Sequence, residues 1–212
     1  MGVIKRGIIG GFSGRVGSIV GSSWKGIAVV KSLPLSVANP KTAAQTTQRT
    51  AFKETASFAS KILSSYIKPL WDRFASKESG FNAFLKKNVP LYVPTANAMY
   101  NGFVAAVGKI EAEDYQVTAP GNGDTDFILD WEDAAAYSNQ EGSDLAYAIG
   151  YDYEKEQFIT FGTHPTRDID TVAGAIEAGT VESGDHYVIW LAFKRADGTA
   201  VSTSVTKTGV IA

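Results

Sequence analysis

The rhythm of hydrophobic and polar positions changes three times along the chain. Over residues 3–33, single bulky apolar residues alternate with glycine: Gly7, Gly10, Gly11, Gly14, Gly17 and Gly21 stand among Ile8, Ile9, Phe12, Val16, Ile19, Val20 and Trp24. On a helix this spacing would make a small-residue stripe, but each interior glycine would cost roughly 0.8–1.0 kcal/mol in water. The stretch is also too short and too polar for close packing inside a membrane to offset that cost. It therefore predicts extended, bulged strands, the firmest over residues 24–32, where Ile27, Val29 and Val30 suit the pleat.

From residue 39 the period becomes helical. Asn39 is a capping residue and Pro40 is tolerated at the first helical position. Ala44, Ala51, Phe52, Thr55, Ala59, Ile62, Leu63 and Tyr66 then recur at helical spacing, toward an end near Lys68, before Pro69. The segment is rich in Thr and Ser, mediocre helix formers, so packing has to hold it. A second helix over 79–87 places Phe81, Phe84 and Leu85 on one face and Lys86 and Lys87 at its negative end. Leu70, Trp71 and Phe74 read as apolar anchors in a turn between the two, and residues 89–94 as extended.

From Tyr115 the period is that of strands. Runs at 115–118, 127–131, 145–151, 157–161, 187–193 and 200–206 are separated by turn signals at 121–124, 139–142, 183–185 and 196–199. Six or seven short strands in about 100 residues predict a β-sandwich of immunoglobulin or fibronectin type, with Trp131 and Trp190 as core anchors. The expected fold class is α+β: a glycine-rich β arm (1–38), a short helical region (39–95) and a C-terminal immunoglobulin/fibronectin-like β-sandwich (112–212).

Composition sharpens this picture in two places. The chain of 212 residues is 44% hydrophobic, which is globular, and it has no cysteine, which excludes disulfides and thiolate metal sites. No apolar run reaches the roughly 20 residues of a membrane helix. The opening apolar stretch is broken by glycine and Arg15, unlike a secretory signal, and Arg6 stands where a myristoylation site needs Ser or Thr. The net charge of −2 hides a split: residues 1–100 carry 14 Lys and Arg against 3 acids, residues 101–212 carry 6 against 19, and residues 1–53 contain no acid at all. Such complementarity raises association rates and fixes orientation, and it suggests a basic half meeting a neighbour's acidic half.

Catalytic motifs are missing, and the chain reads as non-enzymatic and without a cofactor. Gly21-Ser-Ser-Trp-Lys-Gly lacks the lysine that should follow the last glycine of a phosphate loop, and Arg15 replaces the closing glycine of a nucleophile elbow. His164 and His186 are 22 residues apart in loop or strand-edge contexts and read as ordinary surface residues. Asn122, Asp124, Asp126, Asp130 and Asp133 follow calcium-loop spacing, but Phe127 occupies the glycine position, and a turn entering a strand explains them better. Lys5, Arg6, Arg15, Lys25 and Lys31, interleaved with Phe12 and Trp24, have the chemistry for phosphate contact and base stacking, though they are spaced rather than clustered.

The stretch Gly7-Ile-Ile-Gly-Gly-Phe-Ser-Gly-Arg-Val-Gly-Ser-Ile-Val-Gly-Ser-Ser-Trp-Lys-Gly resembles the N-terminal signature of an uncharacterised family of bacterial and prophage-encoded proteins. Asn39, Pro40, Thr42, Gln45, Arg49 and Phe52 resemble, position by position, an Asn-Pro-x-Thr-x-x-Gln-x-x-x-Arg-x-x-Phe helix of phage proteins of unknown function. In those proteins Trp-containing helices and then β-sandwich modules follow, and Trp71 and Gly80-Phe-Asn-Ala-Phe stand where the later helix would be. The likeness covers residues 2 to 90 and implies a phage or mobile-element context, with no activity attached.

The expectation is a self-assembling virion component (capsid, tail or decoration), a homo-oligomer or a partner of other virion proteins. It would be joined through Ile8, Ile9, Phe12, Arg15, Val16, Ile19, Val20 and Trp24, the arm adding strands to a neighbour. A cell-surface or extracellular filament or adhesion protein is one alternative. A nucleic-acid-binding protein using basic residues 5–53 is the other.

Overall fold

Glycine among β-branched residues does give strands. The computed structural model describes residues 2–3, 12–24, 27–36, 39–110, 114–131, 139–177 and 179–212. The chain divides into two units, Met1–Gln45 and Thr46–Ala212. In the first, β1 (Gly2–Val3), β2 (Gly14–Val16), β3 (Ile19–Trp24) and β4 (Ile27–Ser32) form an antiparallel sheet in the order β1-β4-β3-β2. The single strand expected over 24–32 is split: Trp24 ends β3 and pairs with Ile27, the start of β4.

The β2–β3 hairpin closes on Gly17 and Ser18, between paired Val16 and Ile19. Gly17 has φ +59°, which a two-residue hairpin turn requires and glycine adopts without a Cβ clash. Directly opposed residues share a face. One face therefore carries the row Arg15, Val20, Lys31, with Ser22 and Val29 beside it. The other carries Val16, Ile19 and Ser32, with Gly21 and Val30 beside them. Phe12 lies over Gly21, where any Cβ would collide with its ring.

Helix α1 (Ala43–Lys61), most of which belongs to the second unit, begins later than Asn39. A cap must sit three residues before the amide it accepts from, and here the Gln45 amide donates to Thr42 Oγ1 at 3.3 Å. Thr42, rather than Asn39, therefore occupies the capping position. The expected stop before Pro69 is also absent. A wide π turn, Leu63–Ile67, leads into α2 (Lys68–Trp71), with Ile67 N–H on Ile62 O at 3.1 Å. Pro69 then falls in the first turn of a new helix, where its missing N–H costs nothing. Leu70 and Trp71 are buried on that helix, while Phe74 is left 40% exposed. Helix α3 (Gly80–Asn88) starts as the periodicity predicts, with Ser79 Oγ accepting from the Asn82 amide at 3.3 Å. Residues Val89–Leu91 form a 3-10 turn rather than extended chain.

The C-terminal strands are β5 (Tyr115–Thr118), β6 (Asp126–Trp131), β7 (Leu145–Asp152), β8 (Gln157–Thr160), β9 (Thr171–Ile176), β10 (His186–Lys194) and β11 (Val205–Val210). β9 was not among the expected runs, and the run at 200–206 yields only bridge pairs at Val201 and Ser202 before β11 begins. The strands pair antiparallel in the order β11-β10-β7-β8-β9-β6-β5. The two separate sheets expected of a sandwich are thus joined, because Ile159↔Ile176 and Thr160↔Ala175 link β8 to β9.

The single sheet curls until its ends approach, as in a nearly closed barrel. Lys207 Nζ on β11 is 2.6 Å from Asp114 Oδ1 just before β5, and Tyr115 Oη donates to Ile189 O at 2.7 Å. Inside the curl pack Tyr115, Phe127, Leu129, Trp131, Ile159, Val172, Ile189, Leu191 and Phe193. The outer side of β7, β8 and β10 carries Tyr147, Tyr151, Phe158, Val188 and Trp190. Phe58, Ile62, Tyr66, Leu70 and Phe84 cover it from the helices. Trp131 and Trp190 are both buried but in different cores; the Trp190 indole donates to Phe103 O at 3.0 Å. Among the described residues none covers the outer side of β5, β6 and β9, where Gln116, Thr118, Asp126, Ile128, Asp130, Thr171 and Ala173 are exposed. The fold class is α+β, with few helices and mostly antiparallel sheet.

Candidate assembly surface

The strands and turns of the first unit place each residue expected to join subunits. Ile8 and Ile9 lie outside the described residues, as do Lys5, Arg6 and Lys25. Phe12 is half-buried over Gly21. Arg15 is exposed, its Nε donating to Gly17 O at 3.0 Å. Val16 and Ile19 are 60% and 41% exposed, and Val20 is half-buried. Trp24 contributes its backbone to β3. Ile27, expected only as a strand residue, and Leu33 and Leu35, which the sequence reading did not single out, are exposed as well. Among its described residues none belongs to either apolar core and only Gly21 is buried.

The helix motif is also on the surface. Asn39, Pro40, Thr42, Gln45, Arg49 and Phe52 are all exposed. Thr42, Gln45, Arg49 and Phe52 are spaced by three or four residues, which brings them onto one helical face. No residue from 43 to 50 is buried; burial begins at Ala51. Phe52 was expected on the apolar face and is 53% exposed. Phe58 holds that place instead, its ring 4.5 Å from Tyr100 and 5.6 Å from Trp190. The steps Ala51, Thr55, Phe58, Ile62 were the available signal.

The titratable groups serve the fold. His164 stacks on Tyr147 at 3.9 Å and donates from Nδ1 to Ala146 O at 3.2 Å; burial lowers its pKa below the usual imidazole value. His186 belongs to a different network, Nδ1 lying 2.8 Å from Glu154 Oε1. Asp144, fully buried, faces Arg167 at 3.6 Å and Arg195 at 3.4 Å, and the Arg167 guanidinium lies 3.8 Å over the Phe193 ring. Asp152 is buried too. Its Oδ1 accepts the Lys155 amide at 2.9 Å, and Oδ2 has no hydrogen bond among the described residues. Burial chiefly raises its pKa, and Asp185 and Glu154 push the same way. Lys155 Nζ sits beside them, 2.7 Å from Glu182 and 3.8 Å from Asp185.

Among the described residues no three His, Asp or Glu side chains gather as a metal site. The calcium-like spacing is a turn at Gly121–Asp124 (Asp124 N–H to Gly121 O, 3.0 Å) leading into β6; Asp133 lies outside the described residues. A cleft of about 170 Å³ is lined by Glu54, Lys61, Tyr100, Tyr151, Glu156 and Phe158. Its rings pack on one another, and Lys61 Nζ lies 5.7 Å over the Phe158 ring.

The class these features define is an α+β protein whose described core residues lie between 51 and 211, with an antiparallel N-terminal sheet. The model of a family of unknown function, DUF6266, matches residues 11–207, and the chain belongs to that family. No curated protein and no solved structure matches. Among the described residues, no helix is long and apolar enough to cross a membrane.

Proposed function

We propose that this chain is a non-enzymatic, self-assembling structural protein, a component of a phage virion (capsid, tail or decoration), with the N-terminal sheet as its connector. One observation carries the reading: that sheet exposes Val16, Ile19 and Ile27, and none of its described residues belongs to either core. A sheet face needs a packed layer to be stable, and an exposed apolar one invites pairing with another chain. The phage context rests on the resemblance of the glycine signature and the Asn39–Phe52 motif.

The strand order supports an immunoglobulin-like reading of the C-terminal module. β5-β6-β9 matches strands A-B-E of a fibronectin-type sandwich, and β8-β7-β10-β11 matches C′-C-F-G. The β8–β9 pairs then bridge the two layers.

Light scattering on the full chain and on a chain lacking residues 1–36 tests the connector. The full chain is expected to form oligomers. The shortened one is expected to keep the strand signature in circular dichroism and run as a monomer. Oligomers of unchanged size in the shortened chain would sink the proposal.

A second reading, nucleic-acid binding, is favoured by Arg15 and Lys31 standing exposed in one row of an acid-free segment. Duplex DNA binding that weakens steeply with salt would support it.

A further inference from the structure

The two units carry opposite charge: residues 1–45 hold six Lys and Arg and no acid, residues 46–212 hold 14 against 22 acids. The exposed rows have matching patterns. On the N-terminal sheet, Arg15, Val20 and Lys31 lie side by side on β2, β3 and β4, an apolar residue between two cations. Two strand spacings separate the cations, about 10 Å. On the uncovered face of β5, β6 and β9, Asp126, Ile128 and Asp130 alternate outward along β6, an apolar residue between two carboxylates. Four residues of strand separate the carboxylates, about 13 Å. Ile128 is 39% exposed and its neighbours Thr118 and Ala173 are small, so the face is shallow enough to admit another sheet.

Resting on the assembly reading above, we propose that the outer face of β5-β6-β9 is the receptor for the N-terminal sheet of a second copy of this chain. Arg15 and Lys31 would pair with Asp126 and Asp130, and Val20 would sit against Ile128. The flexible stems of Arg and Lys cover the difference in spacing. The two patches differ, so the contact is head-to-tail. It propagates into a ring or a filament rather than stopping at a dimer.

Light scattering and sedimentation of the full chain test this with two variants, Arg15→Glu/Lys31→Glu and Asp126→Lys/Asp130→Lys. All four positions are exposed, so folding should survive, as circular dichroism will verify. Wild type is expected to assemble, and each variant alone to associate at least ten-fold more weakly. An equimolar mixture should assemble again, since every contact between unlike copies then joins opposite charges. If wild type assembles and the Asp126→Lys/Asp130→Lys variant assembles equally well, the receptor face is wrong while the assembly reading stands. If wild type is a monomer at every concentration, the assembly reading fails and this contact fails with it. Assembly that occurs only on adding nucleic acid overturns the second-copy contact in favour of a nucleic-acid partner.

Discussion

Asp144 is fully buried, and its two oxygens face Arg167 and Arg195, drawing together the start of β7, the turn before β9 and the end of β10. Removing one member of a buried ion pair leaves the other desolvated and uncompensated, which typically costs about 3–5 kcal/mol. Asp144→Ala is expected to destabilise the protein by that amount in urea unfolding. Asp152 predicts the opposite sign. Its pKa is raised from 3.8, so the folded state holds the proton more tightly than the unfolded chain does. Stability therefore falls as pH rises from 3.8 through the raised value. Asparagine cannot ionise and keeps an acceptor for the Lys155 amide. Asp152→Asn should melt higher than the parent at pH 7 and alongside it at the acid end of that window. Equal melting temperatures at pH 7 would remove the burial cost inferred for this carboxylate.

Helix α1 shows the same logic one level up. Its first two turns bury nothing, so capping, propensity and surface contacts hold them, and Thr47 and Thr50 are poor formers. Thr42→Ala should cost about 1 kcal/mol locally, seen as roughly five-fold faster amide exchange at residues 45–48, with the global unfolding midpoint unmoved. A shifted midpoint would mean that this end is packed after all.

Helix and strand periods were legible at this scale where burial repeats, as in α3 and in β5, β6, β7, β8 and β10. They were not legible where another force decides. Pro69 reads as a stop, yet the π turn before it makes its missing N–H harmless. β9 carries Ala173, Gly174 and Ala175, so its pattern lacks bulk; Gly174 is small because the Phe161 ring covers it. Phe52 and Phe58 both look apolar in sequence, and only the stripe Ala51, Thr55, Phe58, Ile62 separates the buried one from the exposed one. The exposed row Arg15, Val20, Lys31 depends on register between three strands, which residue order alone does not supply.

For the molecule as a whole, the charge division predicts that the proposed assembly depends on salt. Raising ionic strength toward 1 M shortens the screening length to about 3 Å and should slow association of the full chain in stopped-flow scattering. Rates indifferent to salt would assign the interface to apolar contacts alone. The helical layer has a further consequence, for biosynthesis. Part of its cover comes from strands made much later: Trp190 bonds Phe103, 87 residues upstream, and Tyr66 bonds Tyr147, 81 residues downstream. At about 5–20 residues per second of synthesis, the helices wait roughly 4–17 s for β10 after Phe103 is made. A nascent chain released before β10 is translated lacks the Trp190 ring that packs on Phe58, and it leaves the ribosome with that layer incomplete, a substrate for chaperones and proteases.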